Sequence, residues 1–165
     1  MILKQPICNK KEKNGSVAAT KRQNTKTPRT PSIPEGSSKE DIKAREIIIS
    51  DFYRRWKVNN PSMKRYNLNL KDYINIRHVS IIETSEKASR TYLSTLAVMQ
   101  LDLVLTNAVK TAVVTAKQGN NNQKPFNKMI LMNCKLEGIG TVKLTVGIRR
   151  SDKEKVQYCI TVISA

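Results

Sequence analysis

Gly140-Thr141-Val142-Lys143-Leu144-Thr145-Val146-Gly147-Ile148-Arg149 is the stretch that decides the fold class. Val142, Leu144, Val146 and Ile148 fall on one side of an extended chain, and Lys143, Thr145, Gly147 and Arg149 on the other, which is the period of two of a half-buried strand. Such a strand needs paired neighbours and an apolar layer over one face. Downstream, the turn Ser151-Asp152-Lys153-Glu154 leads into Val156, Tyr158, Ile160 and Val162, set against Gln157, Cys159, Thr161 and Ile163. Upstream lies a run from Phe126 to Leu136, built around Met129-Ile130-Leu131-Met132 and stopped by Glu137-Gly138-Ile139-Gly140. Farther up, Val113-Val114-Thr115 favours extended chain before the turn-rich loop Gln118-Gly119-Asn120-Asn121-Asn122-Gln123-Lys124-Pro125. Short connections of this kind imply antiparallel neighbours, hence a meander of three to four strands.

Ahead of the strands the spacing is helical. Ser37 and Ser38 stand three residues before Glu40 and Asp41, the pattern of a capping box. Ile42, Ile49, Phe52, Tyr53 and Trp56 then recur at helical intervals until Asn59-Asn60-Pro61 ends the run. Trp56 is the expected core anchor, and Arg45, Arg54 and Lys57 are expected on the solvated face. Tyr66 to Ile76 fits both a strand (Tyr66, Leu68, Leu70) and a helix after Asn69, with the helix preferred. Ser80 and Glu83 repeat the capping pattern, followed by Ala88, Tyr92, Leu93, Leu96, Met99, Leu103 and Val104 as one long or two kinked helices. Leu93 to Leu105 is apolar nearly all round and reads as the central buried helix. Helices followed by a meander give an α+β domain, with N-terminal helices packed on a C-terminal three- to four-stranded antiparallel sheet.

The first 40 residues hold nine Lys/Arg against three acidic residues, within a chain of 165 residues and net charge +17. No apolar periodicity runs through them, and Pro28, Pro31 and Pro34 favour extended conformations, so they cannot offset the entropy of ordering. Two segments follow: a disordered basic arm over 1–37, and a single α+β domain over 38–165, which matches the usual domain size. Most of the excess charge lies beyond the arm. A polyanion is the natural partner of such a chain. The arm also reads as a solubilising terminus, and the domain as a protein-interaction module whose charge keeps it in solution. No apolar run is long enough to span a bilayer or to form a signal-peptide core, so a cytoplasmic protein without a membrane partner is expected. Cys8, Cys134 and Cys159 are odd in number and share no CxxC spacing, which indicates neither a disulfide framework nor zinc.

The chemistry-bearing residues are few. His78 is the only histidine and the obvious acid–base candidate, though a lone junction histidine is usually a structural residue. No phosphate-binding loop, dinucleotide fingerprint, nucleophile elbow or HExxH motif occurs, so no cofactor or metal is expected and no catalytic group is assigned. If Val142, Leu144, Val146 and Ile148 meet the helices, Lys143, Thr145 and Arg149 project outward, joined by Lys128 and Thr161 from adjacent strands. That face would be a shallow cationic surface for a nucleic-acid backbone. Arg54 and Arg55, among the aromatics Phe52, Tyr53 and Trp56, form a second candidate patch, with the aromatics read otherwise as a buried stripe.

The layout from residue 85 to 165, closing with Gly140-Thr141-Val142-Lys143-Leu144-Thr145-Val146-Gly147 and Gln157-Tyr158-Cys159-Ile160-Thr161, resembles the barnase/EndoU/colicin/RelE-like group of ribonucleases. It is also similar to small basic proteins of bacterial genomes and their mobile elements. The ribonuclease resemblance implies metal-independent RNA cleavage on the open sheet face, although no histidine stands on these strands. Binding to an RNA or DNA backbone without a catalytic site is therefore the leading expectation, with the ribonuclease or toxin relative as the alternative.

Overall fold

The computed structural model describes residues 32–163. All but the last few residues of the expected arm, together with Cys8, lie outside the described residues. Ser38 caps the first helix, α1 (Lys39–Asn59), its hydroxyl accepting from the Asp41 amide at 3.0 Å, as the spacing predicts. The acidic pair Glu40 and Asp41 suits the positive end of that helix.

Where a short helix is expected, the chain forms a hairpin, β1 (Lys64–Asn67) and β2 (Asp72–Asn75). Tyr66 and Tyr73 face each other across it with ring centroids 5.3 Å apart. The buried Asn67 closes the turn by accepting from the Leu70 amide at 2.7 Å, and Lys71 takes the left-handed conformation the turn requires.

Three helices follow instead of one or two: α2 (His78–Ala88), α3 (Tyr92–Met99) and α4 (Leu101–Asn107). The stretch expected as one buried helix is broken at Gln100, and Leu93 and Leu103 reach solvent while Ala97, Val98, Leu101, Val104 and Leu105 fill the core. Ser80 is not the cap of α2; it stands inside the first turn, where its hydroxyl accepts from the Arg77 amide at 3.0 Å.

Four strands complete the chain: β3 (Val109–Thr115), β4 (Phe126–Leu136), β5 (Gly140–Arg149) and β6 (Lys155–Val162). They form the expected antiparallel meander. The whole sheet is six-stranded, not three- or four-stranded, in the order β1-β2-β6-β5-β4-β3. It is mixed, because β2 meets β6 in parallel at Asn75 and Val156. Beyond that point α2 and α3 run along the exposed edge of β6. Ser80 donates to the Gln157 carbonyl at 2.5 Å, and Ser94 accepts from the Val162 amide at 2.9 Å. Two hydroxyls thus satisfy backbone groups that a neighbouring strand would otherwise pair.

The sheet is curled so that the β1–β2 turn reaches the start of β3. Asn67 donates to the carbonyls of Leu105 and Ala108 at 2.8 and 3.0 Å, and Asn69 accepts from the Lys110 amide at 2.9 Å. Inside the curl lie Ile49, Tyr53, Ile74, Ile76, Val98 and Leu105 against Ile130, Met132, Val142, Leu144, Val146 and Ile160. Trp56 belongs to this core, and its indole donates to Asp102 at 2.8 Å.

Arg45, expected on the solvated face of α1, is fully buried. Its guanidinium donates to the carbonyls of Ser89, Pro34 and Gly36, each at 2.7 Å. A buried cation is costly without acceptors, and the negative end of α2 at Ser89 is a suitable one. One side chain therefore joins α1, the end of α2 and the chain entering α1. Replacing it, as Arg45→Ala, is expected to cost about 2–4 kcal/mol by leaving three carbonyls without a donor. Arg45→Lys should recover only part of that, because one ammonium lacks the planar fork of donors. Urea midpoints of the three proteins provide the check.

Candidate nucleic-acid interface

Strand register decides which residues share the outer face. Across β5 and β6, Val142, Leu144 and Val146 oppose Val162, Ile160 and Gln157, all on the helix side. Lys143 opposes Thr161, Thr145 opposes Cys159, and Gly147 opposes Val156, all on the outer side. Between these sets Tyr158 is an extra residue, a bulge that shifts the alternation by one. Val156 and Tyr158, expected in the core with Ile160 and Val162, consequently join a second apolar cluster with Ala116, Phe126 and Met129. Gln157 turns inward in their place. Its side chain accepts from the Tyr53 hydroxyl at 2.6 Å and donates to Thr84 at 2.8 Å. Burial pushes the Tyr53 phenol up, so it remains a neutral donor.

The outer face extends onto β4 and β3. Lys143 stands beside Asn133, Thr145 beside Leu131, and Lys135 beside Thr141. Lys143, Thr145 and Thr161, three residues singled out in the sequence, thus share one polar, half-buried surface. Lys128 does not join it. A second irregularity, at Asn127, turns Phe126 to the outer side opposite Arg149, while Lys128 pairs with Ile148 and keeps the alternation of Ile130 and Met132, on the helix side and exposed beyond the helices. Arg149 lies on the outer side, but its guanidinium is engaged by Asp152 at 2.8 Å, with Glu154 at 3.9 Å. That contact holds the Asp152 carboxyl down at about 2. Arg77 completes the cluster through a fork of bonds to Glu154 at 2.7 and 2.8 Å. Arg54 pairs with Asp51 on α1, and Arg55 is exposed on the same helix, away from the sheet candidates. The aromatics beside them form a packed stripe: Tyr53 and Trp56 are core, and Phe52 lies against it. His78 opens α2 in a groove between α1 and α2 lined by Lys43, Glu46, Asp51 and Glu86, with none of the sheet candidates in its lining.

The loop between β3 and β4 folds back over the outer face. Phe126 anchors it: a Cβ built on Gly147 would lie 2.6 Å from the Phe126 ring, so the ring occupies the space a side chain would fill. Asn122 donates to the Glu83 carboxylate on α2, whose other oxygen receives Lys87 at 2.9 Å. Gln123 accepts from the Lys117 amide at 2.8 Å. Beneath the loop a cavity of about 280 Å³ opens beside Lys143 and Thr145, floored by Met129, Leu131, Tyr158 and Cys159. Burial pushes the Cys159 thiol up to about 11 and the Tyr158 phenol to about 12, so both are protonated near neutrality and neither serves as an anionic nucleophile there. Among the described residues no group of His, Cys, Asp and Glu is arranged to hold a metal ion, and no helix is long and apolar enough to cross a membrane.

Sequence reasoning missed Lys117, Lys135, Leu131 and the loop residues Asn122 and Gln123 as parts of this surface. The signal that could have found them is Gly147, since a glycine inside a strand marks a close approach by another part of the chain.

Two expectations test this construction. Gly147→Ala should displace Phe126 and cost about 1–3 kcal/mol, with Phe126→Leu in the same chain recovering part of it, as read by thermal or urea unfolding. The second concerns Glu83. Burial alone would raise its carboxyl, but hydrogen bonds from Lys87 and Asn122 and the lysine charge outweigh burial and leave it below the ordinary 4.5. Its contribution is then complete above that unfolded value and is lost as pH falls through the folded one. In Lys87→Met burial prevails, so the variant should lose stability chiefly near pH 7 and little at pH 4, by urea midpoints at the two values. No protein-family model, curated protein or solved structure matches the chain.

Proposed function

We propose that the outer face of the sheet binds the phosphate backbone of a nucleic acid. The observation that carries this reading is the segregation of charge. Between residues 108 and 151 eight Lys/Arg stand against one acidic residue, Glu137. In the preceding stretch, 33–107, twelve Lys/Arg meet nine acidic residues, and cations such as Lys43, Arg54, Arg65, Lys87 and Arg90 are tied into ion pairs. Lys117, Lys135 and Lys143 take part in no ion pair among the described residues. Unpaired ammonium groups beside Thr and Asn side chains supply what phosphate recognition needs: point charges to displace counterions, and hydroxyl or amide donors to fix register.

The basic residues of the first 32 positions, eight against a single acid, add to the same attraction. Cleavage draws no comparable support. The candidate groups do not converge in one cleft, because Lys128 and His78 lie elsewhere and Arg149 is committed to Asp152. Binding without chemistry is the economical reading.

The test uses the full chain. Affinity for a fluorescent RNA or DNA should fall steeply as salt rises from 50 to 200 mM, with a slope set by the phosphates neutralised. Lys135→Glu with Lys143→Glu should weaken binding by about tenfold or more and flatten the logarithmic salt slope by about 1.4, the share of two contacts on a single strand. Lys57→Glu with Lys71→Glu, on α1 and the β1–β2 turn, should do far less. Absence of binding at low salt, or equal losses in both pairs, overturns the assignment.

A further inference from the structure

The cavity under the β3–β4 loop has features that a phosphate-binding face alone does not require. Its floor is apolar, made by Met129, Leu131, Tyr158 and Cys159. Its rim is made by Val114, which pairs with Met129 on the outer face, and by Thr145 and Gln123, with Lys117 and Lys143 at its margin. The Thr145 hydroxyl and the Lys117 and Lys143 ammonium groups engage no hydrogen-bond partner among the described residues, whereas the Gln123 carbonyl is occupied by the Lys117 amide. An enclosure with an apolar floor, a few free polar groups and flanking positive charge suits a flat heterocycle that carries a phosphate.

Size narrows the occupant. Sites for drug-sized ligands run to roughly 300–1,000 Å³, and about 280 Å³ stands just below that range. One ring system fits; an intact base pair does not. The enclosure is also held in place. Glu83 grips Asn122 from α2, Phe126 plugs the space over Gly147, and Gln123 holds the Lys117 amide. Loop and sheet therefore form a preshaped pocket, and little ordering is left to be done on binding.

Resting on the phosphate-face reading, we propose that this cavity receives one unpaired nucleobase while the flanking phosphates lie on Lys117 and Lys143. The ligand class is thus single-stranded nucleic acid or the unpaired loops of a folded one. A regular duplex keeps its bases stacked and paired and can offer only its backbone. Contact with the aliphatic and thioether side chains of Leu131 and Met129 is sequence-tolerant, since every base has an apolar face, and the Thr145 hydroxyl donates or accepts as the base edge requires.

The experiment compares three probes of equal charge on the full-length chain: a single-stranded oligonucleotide, the same strand with abasic sugars, and a fully paired duplex. The base-bearing strand should bind about tenfold more tightly than the abasic one, the value of a single base held against protein. Val114→Phe, which fills the cavity from β3 without altering charge, should abolish that preference and leave abasic binding unchanged. Should that variant fail to fold, Thr145→Phe closes the same cavity from β5, with the ratio of base-bearing to abasic affinity as the readout. Equal affinity for all three probes, or a preference that survives the filled cavity, overturns the pocket while the phosphate face stands. No binding to any probe overturns both.

Discussion

The bulge at Tyr158 is the constraint on which the rest of the structure depends. Without the extra residue, β6 would keep one alternation along its whole length and Gln157 would share a face with Cys159 and Thr161. With it, Gln157 enters the core and bonds Tyr53 and Thr84, while Tyr158 supplies a wall for the second cluster. A buried polar chain of this kind is favourable only when each member is satisfied, and here phenol, amide and hydroxyl have partners. The same shift that sets the helices on one side creates the floor beneath the β3–β4 loop on the other. Core and surface are two readings of a single register change.

Edges are the second theme. A six-stranded sheet leaves two terminal strands and, where β2 departs, part of β6 unpaired. The chain answers with side chains: Ser80 and Ser94 on β6, Asn67 and Asn69 across the curl. Arg45 does similar work among the helices by collecting three carbonyls. Hydrogen-bonded polar side chains, most of them buried, therefore hold together elements that apolar contact alone would leave free to slide.

How much of this was legible follows from which forces are local. The alternation of Val142, Leu144 and Val146 with Lys143 and Thr145 is a local pattern, and it placed Lys143, Thr145 and Thr161 on one face correctly. The cap at Ser38 was equally plain, because a cap is defined by neighbours three residues apart. Bulges at Asn127 and Tyr158 carry no glycine or proline to announce them, and each reverses the side on which every later residue of its strand falls. Phe126 and Tyr158 face outward for that reason, whereas Lys128 keeps the alternation of Ile130 and Met132, which already sets it on the helix side. The four-residue strands of the hairpin are too short for periodicity to separate them from a helical turn, and their pairing is decided by Tyr66 against Tyr73. Arg45 sits in a helix whose apolar stripe hides the acceptors lying in distant segments. The cavity was invisible because its walls come from β3, β4, β5, β6 and a loop anchored on Gly147.

The uneven distribution of charge has a consequence for approach as well as for contact. A body nearly balanced over 33–107 and strongly positive over 108–151 behaves toward a distant polyanion as a permanent dipole added to a monopole. Within about a Debye length, roughly 8 Å at physiological ionic strength, such a field exerts a torque before any side chain touches. Toward the proposed nucleic-acid partner the protein would arrive already turned, its positive segment foremost. Encounters would then be productive in a larger share than random tumbling allows, and added salt would slow association by blurring orientation even before it weakens the bound state.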